Sequence, residues 1–466
     1  MTRLSPASTA CAEFRLAARL NRREVLRVGG LLGLGLLLPG LLRARALSKT
    51  TTGTYGRAKS VIMLYLHGGH AQQETWDPKP EGPAEARGQF GTIATSVPGT
   101  FVSELLPRSA RLMHNLAVIR SMSHANANHV QASLPAMSGH AHPPSEESRG
   151  DFPPSRTDFP PFGAVLSALR PAVQLPTWVQ VGPPMRRANG TVLHGQGPGF
   201  LGPKYSPFVI DQELLARDVQ IRAVTPNAEV PLVRLVGRRG LHHELDAQRR
   251  RLDQLAEVQT FDDYHQQAFN LVCSSATARA FNLATEATAV RERYGQTEFG
   301  QRCLLARRLA EAGVPMISVH YCNTPTGSWD THSQHFRQVK EALCPTLDQA
   351  FTALVTDLDE RGLLGQTLVL VNAEFGRTPK VNSAGGRDHW PWVYSLALAG
   401  GGVAGGVVYG SSDKIAAHPT SHPHDPADMA ATVYHLLGVP PETLVYDQTH
   451  RPHALVQGER IAKLLL

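Results

Sequence analysis

Imidazoles and carboxylates gather in a few short groups along this chain. His67 and His70 bracket Gly68-Gly69, with Asp77 shortly after. Asp330 and His332 fall in Trp329-Asp330-Thr331-His332, and His335 follows three residues on. Glu374 and Arg377 belong to Glu374-Phe375-Gly376-Arg377, and Arg387, Asp388 and His389 to Gly386–Trp390. A separate segment carries His124, His129 and His140. Mixed N/O sets of this kind suit one or two divalent cations, Zn, Ca, Mg or Mn. Such an ion lowers the pKa of a bound water or polarises a phosphoryl or sulfuryl oxygen. Arg377 and Arg387 would complement an anionic group with forked hydrogen bonds. A lone loop histidine is ordinarily a surface or hydrogen-bonded residue, so the argument rests on the groups occurring together. Other readings compete at single positions. Arg377 could pair with Glu374. His418, His422 and His424 in a Pro-rich stretch read as a solvated loop. Trp329, Trp390 and Trp392 read as packing residues rather than a sugar platform.

The elements that must position these groups alternate between strand and helix. Ser60–Leu66 is a continuous apolar run closed by glycines, the pattern of a buried parallel strand. Thr177–Val181, Val314–Tyr321, Gln366–Val371 and Val393–Ala399 read as further strands. Phe299–Ala312 has helical period and ends at Gly313. Apolar residues from Phe336 to Leu358 recur every three to four positions, a long helix with a break expected at Pro345. Asp425-Pro426 opens a last helix through Leu437, closed by Gly438. Helices are expected near 241–258 and 276–294, an exposed loop at 140–161 and irregular chain at 185–207. This alternation predicts an α/β sandwich around a mainly parallel sheet. Four of the groups then fall after strands, at the edge where open α/β sheets collect functional residues.

Residues 1–46 have the three parts of an export leader: Arg22-Arg23, the uncharged run Val28–Leu42, and Ala44-Arg45-Ala46. Fifteen residues are too few to span a bilayer. A membrane anchor is the alternative if the leader is not cleaved, and Arg43 and Arg45 keep it open. The whole chain carries 46 basic and 39 acidic residues; without the eight Arg and two Glu of the leader, 38 and 37 remain. The balance removes the electrostatic case for nucleic acid as a partner. Residues 47–59 read as a linker, and 60–466 as one domain with a helical or irregular insertion at about 185–295. Outside the leader, Cys273, Cys303, Cys322 and Cys344 are widely spaced. That spacing excludes a zinc ribbon and allows one or two disulfides.

Several stretches taken together resemble a known family. They are LYLHGGHAQQETWDPKP, SMSHANANHVQASLPAMSGH, GFLGPKYSPF, SWDTHSQHF, DLDERGLLGQTLVLVNAEFGRTPK, GRDHWP and LAGGGVAGGVVYG. Over about Ser60–Leu437 the chain resembles the domain-of-unknown-function family DUF1501, exported bacterial proteins with twin-arginine leaders. The resemblance implies an alkaline-phosphatase/sulfatase-like fold, a three-layer α/β/α sandwich, and a metal-dependent hydrolase. It also implies export through the twin-arginine translocase to the periplasm or beyond. By the same resemblance His67 takes the place of a metal-binding Asp, and Asp330 with His332 (or His335) and His389 serve one metal. Glu374 matches an Asp of the second metal, but Phe375 stands where its His partner would be. The nucleophile position falls on His129 or, in another alignment, on Ser133; His129 could instead ligate metal.

Two functions follow as expectations. One is a hydrolase of phosphate or sulfate esters, with His67, Asp330, His332, Glu374, Asp388 and His389 around the metal. Its catalytic candidates are His129, Ser133, Arg377 and Arg387, and its substrate an anionic ester such as a sulfated or phosphorylated glycan. The other is a non-catalytic binding protein of the envelope or the extracellular space, favoured by Phe375.

Overall fold

Ser60–Tyr65 is buried at every position, as a strand covered on both faces must be, and forms β1. The computed structural model describes residues 53–147, 149–171, 175–225, 274–322 and 329–466. The leader, the helix expected at 241–258 and Cys273 lie outside the described residues.

The remaining strands of the main sheet are β2 (Leu116–Met122), β3 (Trp178–Val181), β4 (Phe208–Ile210), β5 (Met316–His320), β6 (Thr367–Asn372), β7 (Tyr394–Ala399) and β8 (Val407–Tyr409). Their spatial order is β8-β2-β7-β6-β1-β5-β3-β4. Neighbours are parallel except where β7 runs antiparallel to both β6 and β2. β1 is central, in register with β5 (Leu64 opposite Val319) and with β6 (Leu64 opposite Val371). The sequence pattern missed β2, whose apolar run is interrupted by Arg120. That side chain leaves the core by donating to the Trp76 and Phe101 carbonyls at 2.8 and 2.7 Å.

Helices cover both faces, making three layers. They are α1 (His129–Ser138), α2 (Phe162–Leu169), α3 (Glu298–Glu311), α4 (Cys344–Glu360) and α5 (Pro426–Leu437). On one face Phe299, Leu304, Leu347 and Phe351 of α3 and α4 pack with Ile62, Leu64, Val319 and Val371. On the other, Phe162, Val165, Met429 and Val433 of α2 and α5 pack with Val61, Met63, Leu370 and Leu398. Alternate residues of one strand thus feed two cores. The fold is the expected mainly parallel α/β sandwich.

Several local expectations need correction. Gly56 and Ala58, assigned to a linker, donate to the His435 and Leu436 carbonyls at 3.0 and 2.9 Å, and Ala58 is core. The stretch 140–161 is not a simple exposed loop, because His140, His142, Phe152 and Asp158 are buried. The segment 185–295 supplies β4 to the sheet edge. The helix expected at 276–294 is split into Ser275–Phe281 and Thr288–Tyr294. Cys303, Cys322 and Cys344 are buried, and among the described residues no disulfide joins them. Among the described residues no helix is long and apolar enough to cross a membrane.

Candidate metal centre

The carboxyl ends of β1, β2, β3, β5 and β6 and the amino end of β7 meet at one edge. After β1 the chain turns at Gly68, where φ is +109° and an added Cβ would lie 2.2 Å from the Asp330 amide nitrogen. Only glycine lets the two loops touch there. The Trp329 amide donates to the His67 carbonyl at 3.0 Å, which fixes Asp330 beside that turn. After β2, Asn128 caps α1 by accepting from the Val130 and Gln131 amides, which sets His129 in the first turn. After β6, Gly376–Arg377 pairs antiparallel with His389–Trp390, delivering His389 to the same place.

Asp330 Oδ1 is the meeting point. His129 Nε2 lies 3.3 Å from it, His332 Nε2 3.0 Å, His389 Nε2 3.1 Å and an Arg377 guanidinium nitrogen 2.7 Å. His332 Nε2 and His389 Nε2 are 2.9 Å apart. Each imidazole is held from behind. His129 Nδ1 meets Glu374 Oε1 at 2.6 Å, His389 Nδ1 donates to the Ala127 carbonyl at 2.7 Å, and His332 Nδ1 meets Asp388 Oδ1 at 2.7 Å. These partners place the proton of a neutral ring on Nδ1 and leave the Nε2 lone pair facing Asp330, the second-shell arrangement of metal-ligating histidines. A lone pair 3.1–3.3 Å from a carboxylate oxygen needs a proton or a cation to hold it there. The donor set therefore fits a divalent cation held by His129, Asp330 and His389, with His332 beside them.

The electrostatics agree. Burial alone would raise the Asp330 carboxyl. Without an ion, protons on the Nε2 atoms of His129, His332 and His389 stand where the cation would sit, and with the Arg377 charge they drive that carboxyl far below the usual carboxylate range. Burial likewise works against the Glu374 carboxylate, but His129 holds its pKa at about 2. Burial lowers His389 to about 4, keeping it in the neutral form a metal requires. His332 moves the other way, raised chiefly by its hydrogen bond to Asp330.

The remaining candidates fall into three places. Glu374 and Asp388 stand behind histidines: Glu374 Oε1 also accepts from the Gly68 amide at 2.8 Å, and Asp388 also accepts from Asn382. His67 is buried next to the centre, its ring 6.1 Å from that of His129 and its Nδ1 3.3 Å from Cys322 Sγ. Ser133, Arg377 and Arg387 require correction as groups that act on a substrate. Ser133 is buried inside α1 and its Oγ donates back to the Val130 carbonyl at 2.9 Å. Arg377 is fully buried and donates to the Gly68, Gly69 and Arg387 carbonyls as well as to Asp330. Arg387 is also fully buried and pairs with Glu74 at 2.6 Å, and the alternative ligand His335 lies 3.1 Å from the same Glu74. Phe375 packs its ring 4.8 Å from His129 and 4.7 Å from His389.

The centre opens into a cleft of about 1120 Å³ whose lining includes Asn126, Gln131, Arg187, His389 and Trp392. Arg187 was not anticipated. It reaches to 3.7 Å from Asp330 Oδ2 and 3.5 Å from Asp151, and its side chain is 29% exposed. It comes from irregular chain beyond β3, where no periodicity or motif marks it.

A mainly parallel α/β sheet with a histidine–carboxylate centre over its strand ends defines the class. The chain belongs to the family of proteins of unknown function DUF1501, whose model matches residues 58–465. No curated protein matches the chain by sequence. Solved structures similar to it include a sulfatase from Pseudoalteromonas sp. (14% identity, TM-score 0.41, covering 88% of this chain and 73% of that one). Another is a protein of the alkaline phosphatase superfamily from Vibrio parahaemolyticus (12%, 0.40, 89% and 72%). A third is a phosphonate monoester hydrolase from Silicibacter pomeroyi (11%, 0.38, 87% and 76%).

Proposed function

We propose that this chain is an exported, metal-dependent hydrolase of phosphate or sulfate esters. The observation that carries the reading is the convergence of His129, His332 and His389 on Asp330, with outer protons of His129 and His389 already assigned to Glu374 and Ala127. A divalent cation held there would supply Lewis-acid polarisation of the ester and a water of lowered pKa. The protein's own part is positional. Glu374, Asp388 and the Ala127 carbonyl fix the three rings, and Arg377 fixes Asp330. Arg187, half-exposed at the cleft wall, supplies a guanidinium for the anionic group. Trp392, 41% exposed on the same wall, offers a flat apolar face to a sugar ring, which favours a sulfated or phosphorylated glycan as substrate. Export by the twin-arginine route to the periplasm or beyond follows from the leader motif.

The test is metal analysis of protein exported from its own leader, joined to turnover of aryl phosphate and aryl sulfate. Asp330→Ala is expected to lose the ion and to lower turnover by more than the roughly 10–100-fold that loss of an outer-shell partner costs. A metal-free wild type, or undiminished turnover in Asp330→Ala, overturns the proposal. Phe375 favours a second reading, a non-catalytic glycan-binding protein. That reading predicts chelator-insensitive glycan binding with no turnover.

A further inference from the structure

Away from Asp330 a second set of donors converges, on chain that the sequence marked only as loop. One ligand atom each from His142, Asp158 and His194 lies within 4.8 Å of the others, and all three residues are buried. His194 Nε2 meets the Phe152 carbonyl at 3.0 Å, to which it can only donate. Its Nδ1 then faces Asp158 Oδ2 at 2.6 Å. Asp158 Oδ1 and His142 Nε2 are buried with no hydrogen-bond partner among the described residues. Such groups are uncommon in a folded interior unless something polar meets them. His142 Nδ1 is 3.4 Å from Glu146 Oε2, one turn along the same segment. The Phe152 ring sits 5.2 Å from His142 and 4.7 Å from His194, an apolar wall that keeps water from the cluster.

We propose that His142, Asp158 and His194 form a second site for a divalent transition-metal ion, and that Zn²⁺ fits it best. Two imidazoles and a carboxylate are three protein ligands of the types Zn²⁺ takes, with the fourth tetrahedral position left to a water. Zn–N and Zn–O bonds of about 2.0–2.2 Å place tetrahedral donors roughly 3.3–3.5 Å apart. The His194–Asp158 pair opens from 2.6 Å to that spacing, and the remaining donors, all within 4.8 Å of one another, close onto the ion. The His194 proton on the Phe152 carbonyl is the outer-shell bond that fixes a ligating ring. The ion ties residues 142–158 to His194 across the sequence. His142 and Gly150 line the cleft, so the tie holds one of its walls.

The experiment is zinc stoichiometry on the untagged chain in an Asp330→Ala background, which removes the centre described above. That protein is expected to keep one zinc per chain after dialysis against a weak chelator. Cobalt substitution is expected to give the visible bands of a tetrahedral N/O site. Adding His142→Gln or Asp158→Asn is expected to abolish both signals and to make melting insensitive to chelator. If these variants fail to fold, the cobalt spectrum of the Asp330→Ala protein alone still decides. No zinc in that protein overturns the proposal, as does zinc that survives both added substitutions. Zinc lost only when His418, His422 and His424 are replaced also overturns it. Should the Asp330 centre hold no metal, wild type and Asp330→Ala will carry equal zinc, and the second site stands on its own result.

Discussion

Two arginines one loop apart show how much a side chain's surroundings decide. Arg377 keeps a 2.7 Å contact with Asp330, whereas Arg387 is turned to Glu74 at 2.6 Å, with both members of that pair out of water. Burial works against the Glu74 carboxylate, yet Arg387 and His335 hold its pKa below the ordinary value. Removing one partner of a buried pair leaves the other charge stranded. Arg387→Met is therefore expected to cost about 3–5 kcal/mol in urea unfolding. An anion-holding Arg387 would instead raise KM and leave the unfolding midpoint in place. Asp330, His332 and His389 were legible in the sequence because each sits in a short polar motif after an apolar run. Arg187 was not, since only the folded path of irregular chain brings it within 3.7 Å of Asp330. Arg387 was misread because nothing in Gly386–Trp390 distinguishes a buried guanidinium from a solvated one.

Elements show the same division between what is local and what is not. The expected break at Pro345 is real but lies earlier. His335–Gln338 is α-helical, Val339–Leu343 widens into a π turn, and Pro345 follows directly at the start of α4, in continuous helical backbone. The α5 boundaries follow the signals, with Asp425 Oδ1 accepting from the Asp428 amide and Gly438 in the left-handed region. Packing between elements left no such mark. α2 lies on β3 so closely that a Cβ at Gly163 would be 2.2 Å from the Trp178 ring, whose Nε1 donates to Ser318 Oγ at 3.1 Å. Gly163→Ala is expected to cost about 1–3 kcal/mol by overpacking and to shift tryptophan emission as that bond breaks. Unchanged emission and unchanged stability would refute this account of the contact.

Across the whole molecule, burial of imidazoles shapes the response to acid. Burial lowers His320 from 6.5 to about 4, although its Nδ1 bonds the Pro183 carbonyl at 3.0 Å, and His70 is lowered similarly. As pH falls past 6.5 the unfolded chain takes up these protons and the folded chain does not. Stability is therefore whole above 6.5 and declines toward pH 4, by up to about 1.4 kcal/mol per pH unit for each such group. His320→Gln is expected to flatten the urea midpoint between pH 6.5 and 4.5 by one proton's worth of slope. Parallel pH profiles for variant and wild type would count against it. The three layers could be read from alternating strand and helix, but the reversed direction of β7 could not, since apolar runs carry no arrow. That reversal means the chain leaves β6 and enters β7 on the same side of the sheet. Glu374 and His389 are thus carried by one tether, fastened at both feet to adjacent strands. Lengthening or nicking it would shift both residues together while sparing the hydrophobic layers, so this is where relatives could retune reach and affinity without relearning how to fold.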